Sequence, residues 1–230
     1  MESIYRKPYT ISTTMTDAFG RLSLSRLMGM VQEAAVDHSN LLGTGREDLL
    51  KKGLFWAVIR HKVQITRLPR LGESVTLETW PMPTTRTAYP RAAVALDEQG
   101  RELFRSVSLW VLMDPDSRAM ILPGKSGVTV EGLLRGTELS VPGSIIPGDM
   151  DQTEMRAVRF SELDMNGHMN NCRYLDWAAD LLSADFHREH TPREFTLCYL
   201  SEAREGQKLE LHWSLDQGSV LRLDIHREKD

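Results

Sequence analysis

Apolar residues at 24, 27, 28, 31, 34 and 35 recur at helical spacing, and so do those at 174, 175, 178, 181, 182 and 186. The spacing predicts long helices over 22–42 and 170–188. Elsewhere the period falls to two. In 55–68, Ala57, Ile59, Val63 and Ile65 alternate with Arg60, Lys62, Gln64 and Thr66, as a sheet with one buried face requires. Strands are predicted at 55–68, 74–82, 88–97 and 102–113, and again at 194–204, 207–215 and 219–227. A further strand, 5–14 or 153–161, leads into each helix. Asp97-Glu-Gln-Gly100 and Asp216-Gln-Gly218 carry hairpin-turn chemistry. The prediction is an α+β fold, two long helices wrapped by a mostly antiparallel sheet.

The elements repeat. Asp17, Gly20 and Arg26 match Asp164, Gly167 and Arg173 at one constant offset, each stretch running into a helical pattern. Downstream, Gly72-Glu-Ser-Val-Thr-Leu-Glu-Thr-Trp80 resembles Gly206-Gln-Lys-Leu-Glu-Leu-His-Trp213, and Leu96-Asp97-Glu-Gln-Gly100 resembles Leu215-Asp216-Gln-Gly218. Three matches in one order indicate a tandem duplication. The second copy is shorter by one strand, and the pattern does not say which. Residues 114–150, with Pro115, Pro123, Pro142, Pro147 and several glycines, read as the connection.

Composition narrows the class. The chain has 230 residues, 41% hydrophobic and 26% charged, with a formal charge of −4, an ordinary globular balance. It offers no electrostatic reason to bind nucleic acid. No stretch approaches the roughly 18 apolar residues of a membrane span, and Met1–Lys7 lacks the apolar run of a secretory signal, so a cytoplasmic protein is expected. Cys172 and Cys198 provide neither a disulfide framework nor a four-thiolate metal site. No cofactor is expected, the dinucleotide, phosphate-loop and His-Glu-x-x-His motifs being absent.

Because both copies face the same folding problem, their differences are informative. At the strand-to-helix junction the second copy has Asn166, His168, Asn170 and Asn171, where the first has Phe19, Arg21, Ser23 and Leu24. Aligning the glycine-anchored strands sets Leu68 opposite Glu202. Asp164, Asn166, His168 and Glu202 thus gather in one half only, and a core needs no such polar cluster. The chemistry available is hydrolytic. His168 exchanges a proton near neutral pH, Glu202 orients it or activates water, and Asn166 offers amide donors to an oxyanion. No Gly-x-Ser-x-Gly elbow is present.

Leu163-Asp164-Met-Asn166-Gly167-His168-Met-Asn170-Asn171-Cys172-Arg173-Tyr174 resembles the signature of acyl-[acyl-carrier-protein] thioesterases of plants and bacteria. The likeness extends to Tyr199-Leu-Ser-Glu202, to Trp110-Val-Leu-Met-Asp114 and to Leu122-Pro123. It implies a tandem double hotdog, with an N-terminal unit over 1–128 holding the acyl chain, a linker over 129–150 and a catalytic unit over 151–230. It also implies hydrolysis of fatty acyl thioesters on the 4'-phosphopantetheine arm of acyl carrier protein. Asp164, Asn166, His168 and Glu202 would be the catalytic set, His168 and Glu202 activating water, Asn166 polarising the carbonyl and Asp164 fixing the loop. Many relatives carry a cysteine after the glutamate; Ala203 stands here, which favours direct attack by water. Gly167, where plant members usually have a bulkier residue, points to a bacterial relative.

Other residues have plainer readings. Asn170 and Asn171 read as helix caps, His61 as a satisfied core histidine, and His187-x-x-His190 as a helix end without a third ligand. The cysteines read as buried small hydrophobes. Arg60, Lys62, Arg67 and Arg70 form a basic run, by default a solvated strand face and alternatively a surface for an acidic carrier protein. Hydrolysis of acyl-CoA, a hotdog dehydratase and a non-catalytic acyl-thioester sensor remain alternatives, as do a monomeric pseudo-dimer and a homodimer.

Overall fold

The computed structural model describes residues 3–217 and 220–227. Its first half contains β1 (Tyr5–Thr10), α1 (Leu24–Leu41), α2 (Arg46–Leu50), β2 (Phe55–Ile65), β3 (Ser74–Pro81), β4 (Tyr89–Leu96) and β5 (Glu102–Met113). The connection holds β6 (Met120–Ile121) and α3 (Pro123–Ser126). Then come β7 (Gln152–Ala157), α4 (Arg173–Asp180), α5 (Ala184–Glu189), β8 (Glu194–Cys198), β9 (Lys208–Asp216) and β10 (Val220–Arg227). The predicted Asp216–Gly218 turn and the first residue of the predicted 219–227 strand reach beyond the described residues.

Every pairing is antiparallel. One seven-stranded sheet runs β1-β3-β4-β5-β2-β8 with β6 beside β5, and a three-stranded sheet runs β10-β9-β7. The two halves repeat one hydrogen-bond pattern. β1 meets β3 from Tyr5↔Thr79 to Thr10↔Ser74, and β7 meets β9 from Gln152↔Trp213 to Ala157↔Lys208. Ile11 N–H donates to Glu73 O and Gly72 N–H to Ile11 O; Val158 and Gly206 repeat both bonds with Gln207 and Val158. β10 then stands where β4 stands, and β8 where β2 stands. The strand lacking a counterpart among the described residues is β5, which in the first half joins β4 to β2. β8 pairs instead with β2, Gln64↔Glu194 to Arg60↔Cys198, so the halves share one sheet.

α1 forms as predicted. Ser23 caps it, its Oγ accepting from Arg26 N–H, and Leu27, Met28, Val31 and Ala34 pack on Val63, Leu77, Ala93 and Phe104 of the sheet. The second helix departs from the prediction. Instead of one helix over 170–188 there are two short ones, and only two helices among the described residues reach seven residues. The break lies at Ser183, whose backbone is extended and whose Oγ accepts from Phe186 N–H at 3.2 Å, starting a new helix. The strand predicted at 194–204 ends at Cys198.

The connection lies against the first sheet. Leu133 and Leu139 pack on Trp80, Met82, Ala92 and Val107. Glu138 accepts from Trp80 Nε1 at 3.1 Å, and Arg135 pairs with Glu78 at 2.6 Å. A Cβ on Gly132 would collide with the Met82–Pro83 backbone, so only glycine permits that approach. No helix among the described residues is long and apolar enough to cross a membrane.

Candidate active site

A tight turn precedes α1, and another precedes α4. Asp164 Oδ1 accepts from the N–H groups of Asn166 (2.8 Å) and His168 (3.3 Å), Gly167 N–H donates to Asp164 O, and Asp164 N–H donates to His168 O (2.8 Å). Gly167 sits at φ +76°, left-handed backbone that glycine adopts without a Cβ penalty. This is a hydrogen-bonded β-turn closed by a left-handed glycine. Next, Met169 N–H donates to Ala203 O at 2.8 Å, stapling the turn to the segment that carries Glu202.

The staple sets His168 beside Glu202. His168 Nε2 lies 3.1 Å from Glu202 Oε2, with the imidazole buried and the carboxylate half-exposed. The other carboxylate oxygen, Oε1, accepts from Arg118 Nη1 at 3.0 Å. Arg227 Nη2 donates to the Glu202 carbonyl at 2.7 Å. Glu202 is thereby held at both ends, one oxygen facing a cation and the other an imidazole.

Two predicted site residues are thus brought into direct contact. Asp164 is the keystone of the turn. Asn166 is exposed, its Nδ2 3.5 Å from Asp164 Oδ2, and no hydrogen bond joins it to His168 or Glu202 among the described residues. Asn170 Oδ1 accepts from Cys172 N–H at 2.9 Å, one turn before α4 begins. The Asn171 carbonyl accepts from Tyr199 OH at 3.1 Å, and Tyr199 packs edge-on against Tyr174. Met165 and Leu200, in the two segments that carry His168 and Glu202, are 79% and 92% exposed.

Arg118 escaped the sequence reading. It belongs to the β5–β6 turn, where Asp114 Oδ1 accepts from Asp116 N–H, Ser117 N–H and Ser117 Oγ. Its φ of +58° is rare for a residue with a side chain, and its guanidinium lies over the Phe55 ring, 5.2 Å from the centroid. The Asp-x-x-Ser before it signals a turn, but nothing local points to Glu202.

Other expectations resolve as follows. Burial pushes the Cys172 thiol up to about 11, and its Sγ donates to Gln32 Oε1 at 3.4 Å, so it is not poised as a nucleophile. Cys198 is only half-buried, contrary to its reading as a buried residue. His187 Nε2 and His190 Nδ1 both meet backbone carbonyls, of Ala179 and Phe186. Three residues of the basic run are engaged: Arg60 by Pro142 O and Ser144 Oγ, Lys62 by Glu194, Arg67 by Glu73. His61 is buried, but it is not the satisfied core histidine expected: neither ring nitrogen has a partner among the described residues.

Comparison with known proteins gives a consistent picture. The acyl-ACP thioesterase N-terminal domain family matches residues 2–122, and the acyl-ACP thioesterase C-terminal domain family matches 148–229. A palmitoyl-acyl carrier protein thioesterase of Gossypium hirsutum is 26% identical over 222 residues, 90% of this chain and 54% of the relative. A dodecanoyl-[acyl-carrier-protein] hydrolase of Cinnamomum camphora is 24% identical, covering 94% of this chain and 60% of the relative. The chain spans little more than half the length of these curated relatives. The fold is close to that of an acyl-ACP thioesterase from Bacteroides thetaiotaomicron (TM-score 0.90, 20% identity, 98% and 93% of the two chains). It is also close to that of the 12:0-ACP thioesterase from Umbellularia californica (TM-score 0.80, 23% identity, 99% and 98%).

Proposed function

Since this chain belongs to the acyl-ACP thioesterase family, we propose that it hydrolyses fatty acyl thioesters on acyl carrier protein, releasing the fatty acid and the free pantetheine thiol. One observation carries this reading: a carboxylate and an imidazole at 3.1 Å, with the second carboxylate oxygen held by Arg118. A water molecule loses a proton to the Glu202–His168 pair as its oxygen bonds to the acyl carbon. Negative charge then develops on the carbonyl oxygen, where the Asn166 amide donates. As the carbonyl re-forms, the C–S bond breaks and the pair returns the proton to the departing sulfur. Asp164 shapes the turn that delivers His168, and Arg118 positions Glu202. With Cys172 buried and Ala203 following Glu202, attack by water needs no enzyme thiol.

In the same reading the chain is a tandem double hotdog, an acyl-binding unit over 1–128 and a catalytic unit over 151–230, joined by 129–150. The repeated hydrogen bonds of the two halves support it. The test is thiol release from acyl-ACP, followed in parallel with the matching acyl-CoA. Stoichiometric release faster from the carrier protein is expected. Absence of release from either carrier overturns the hydrolytic reading, and a preference for acyl-CoA overturns the choice of carrier.

A further inference from the structure

A polar row crosses the inner face of the seven-stranded sheet. Pro81 on β3 faces Arg91 on β4, Arg91 faces Ser108 on β5, and Ser108 faces His61 on β2. Directly opposed residues of antiparallel strands share a face. This is the face α1 covers, since Val63, Ala93 and Phe104 on the same strands pack on its apolar side.

The row makes a poor core. His61 is 0% exposed with both ring nitrogens unpartnered among the described residues. Arg91 is 7% exposed, and its guanidinium meets His38 Nδ1 at 3.1 Å, Thr79 Oγ1 at 3.4 Å and Ser39 Oγ at 3.5 Å. No carboxylate pairs with it among the described residues, and burial lowers it to about 10. Ser108 Oγ accepts from Trp110 Nε1 at 2.8 Å, and its hydroxyl has only a long 3.4 Å contact to Arg91 O. A buried cation without an anion and an unmatched imidazole both cost free energy that aliphatic residues would not. The surrounding sheet positions, Ala93 and Ser106, are small.

The row is also near the reactive pair. His61 faces Leu197 on β8, five residues before Glu202, so the chain between them spans at most about 17 Å. An acyl chain of medium length covers that distance.

We propose that Arg91, Ser108 and His61 form a site for a hydrogen-bond-accepting oxygen on the acyl chain, remote from the thioester, so that oxygenated acyl thioesters are favoured over plain ones. The neutral imidazole donates one N–H, the Ser108 hydroxyl turns toward the oxygen, and the guanidinium supplies positive charge. The inference rests on the thioesterase reading for its substrate and on the polar row for its selectivity.

The test compares kcat/KM of the full chain on a saturated acyl-ACP and on its hydroxy, oxo and ω-carboxy counterparts of equal length. At least one oxygenated substrate is expected to exceed the plain one by about tenfold. The three arms identify which oxygen is read. His61→Leu and Arg91→Met should bring the ratio toward one, and since Arg91→Met also strips the hydrogen bonds of a buried position, His61→Leu with a melting temperature no lower than the parent's decides. Oxygenated substrates no better than the plain one overturn the inference while leaving the thioesterase reading intact. If no thioester is cleaved, titration with non-hydrolysable acyl-pantetheine amides of the same four kinds decides it separately: tighter binding of an oxygenated amide supports the site, and equal binding overturns it.

Discussion

The turns before the two helices have one backbone and two occupations. Asp17 repeats the bonds of Asp164 to backbone groups: its Oδ1 accepts from Phe19 and Arg21 N–H, Gly20 N–H donates to Asp17 O, and Leu22 N–H donates to Pro69 O as Met169 N–H does to Ala203 O. Where the second half projects His168 toward Glu202, the first projects Arg21 toward the end of α5. There Arg21 donates to the carbonyls of His187 (2.8 Å) and His190 (3.3 Å). The position aligned with Glu202 is there held by the buried Leu68, and Arg21 bridges Arg70. Asp97–Arg101 builds the same turn a third time, between β4 and β5. The turn is a folding device; the residue after its glycine is free to clamp a helix end, as Arg21 does, or to face a carboxylate, as His168 does.

Substitutions can break that comparison at graded cost. His168→Ala or Glu202→Ala should lower kcat by about 10²–10⁴-fold, the range of lost acid–base help, with thiol release as the readout. Equal activity in both variants would remove the site from this junction. Next, His61 and its counterpart Phe195 contrast a buried imidazole with an apolar ring. Burial holds His61 down at about 3, so the unfolded chain binds the proton first as pH falls below about 6.5. That share of stability is whole above about 6.5 and lost toward 3, reaching about 3 kcal/mol by pH 4.5. Chemical denaturation across this window should show a flatter slope for His61→Phe than for the parent chain.

Arg21→Ala should cost about 2 kcal/mol by unclamping α5, visible as a lower denaturation midpoint with hydrolysis largely retained. A large fall in kcat without a stability change would mean that the first junction also serves the chemistry. Arg118→Leu should reduce kcat about tenfold with little change in KM, since it removes only what positions Glu202, and Arg118→Lys should recover part of it. The smallest effect is shared by both turns. Gly20→Ala and Gly167→Ala should each cost about 1 kcal/mol, because a Cβ there meets nothing within 4 Å and only the left-handed backbone resists. Very different costs at the two glycines would show that the turns are not equivalent.

Much of this arrangement was legible in the chain. The two offsets that aligned the copies also placed Glu202 opposite Leu68, and the structure pairs it with His168. The broken second helix was hidden because apolar spacing at 174, 175, 178, 181, 182 and 186 continues across the break; the telling signal was Ser183 with Asp185 in the next turn. Arg118 was hidden because its partner is 84 residues away, a distance no local pattern spans. His61 had the right alternation for burial, but alternation says nothing about what its nitrogens meet. The strand without a counterpart was equally unreadable, since pairing, not pattern, shows that β5 is the one unmatched.

The seam between β2 and β8 has a kinetic consequence. It joins residues such as Gln64 and Glu194, about 130 apart along the chain, and closing so long a loop is slow compared with forming any hairpin within a half. Glu202 lies just beyond that seam. A refolding chain should therefore regain its helices and local hairpins first and the His168–Glu202 contact last, making that contact a timer for completion of the whole molecule.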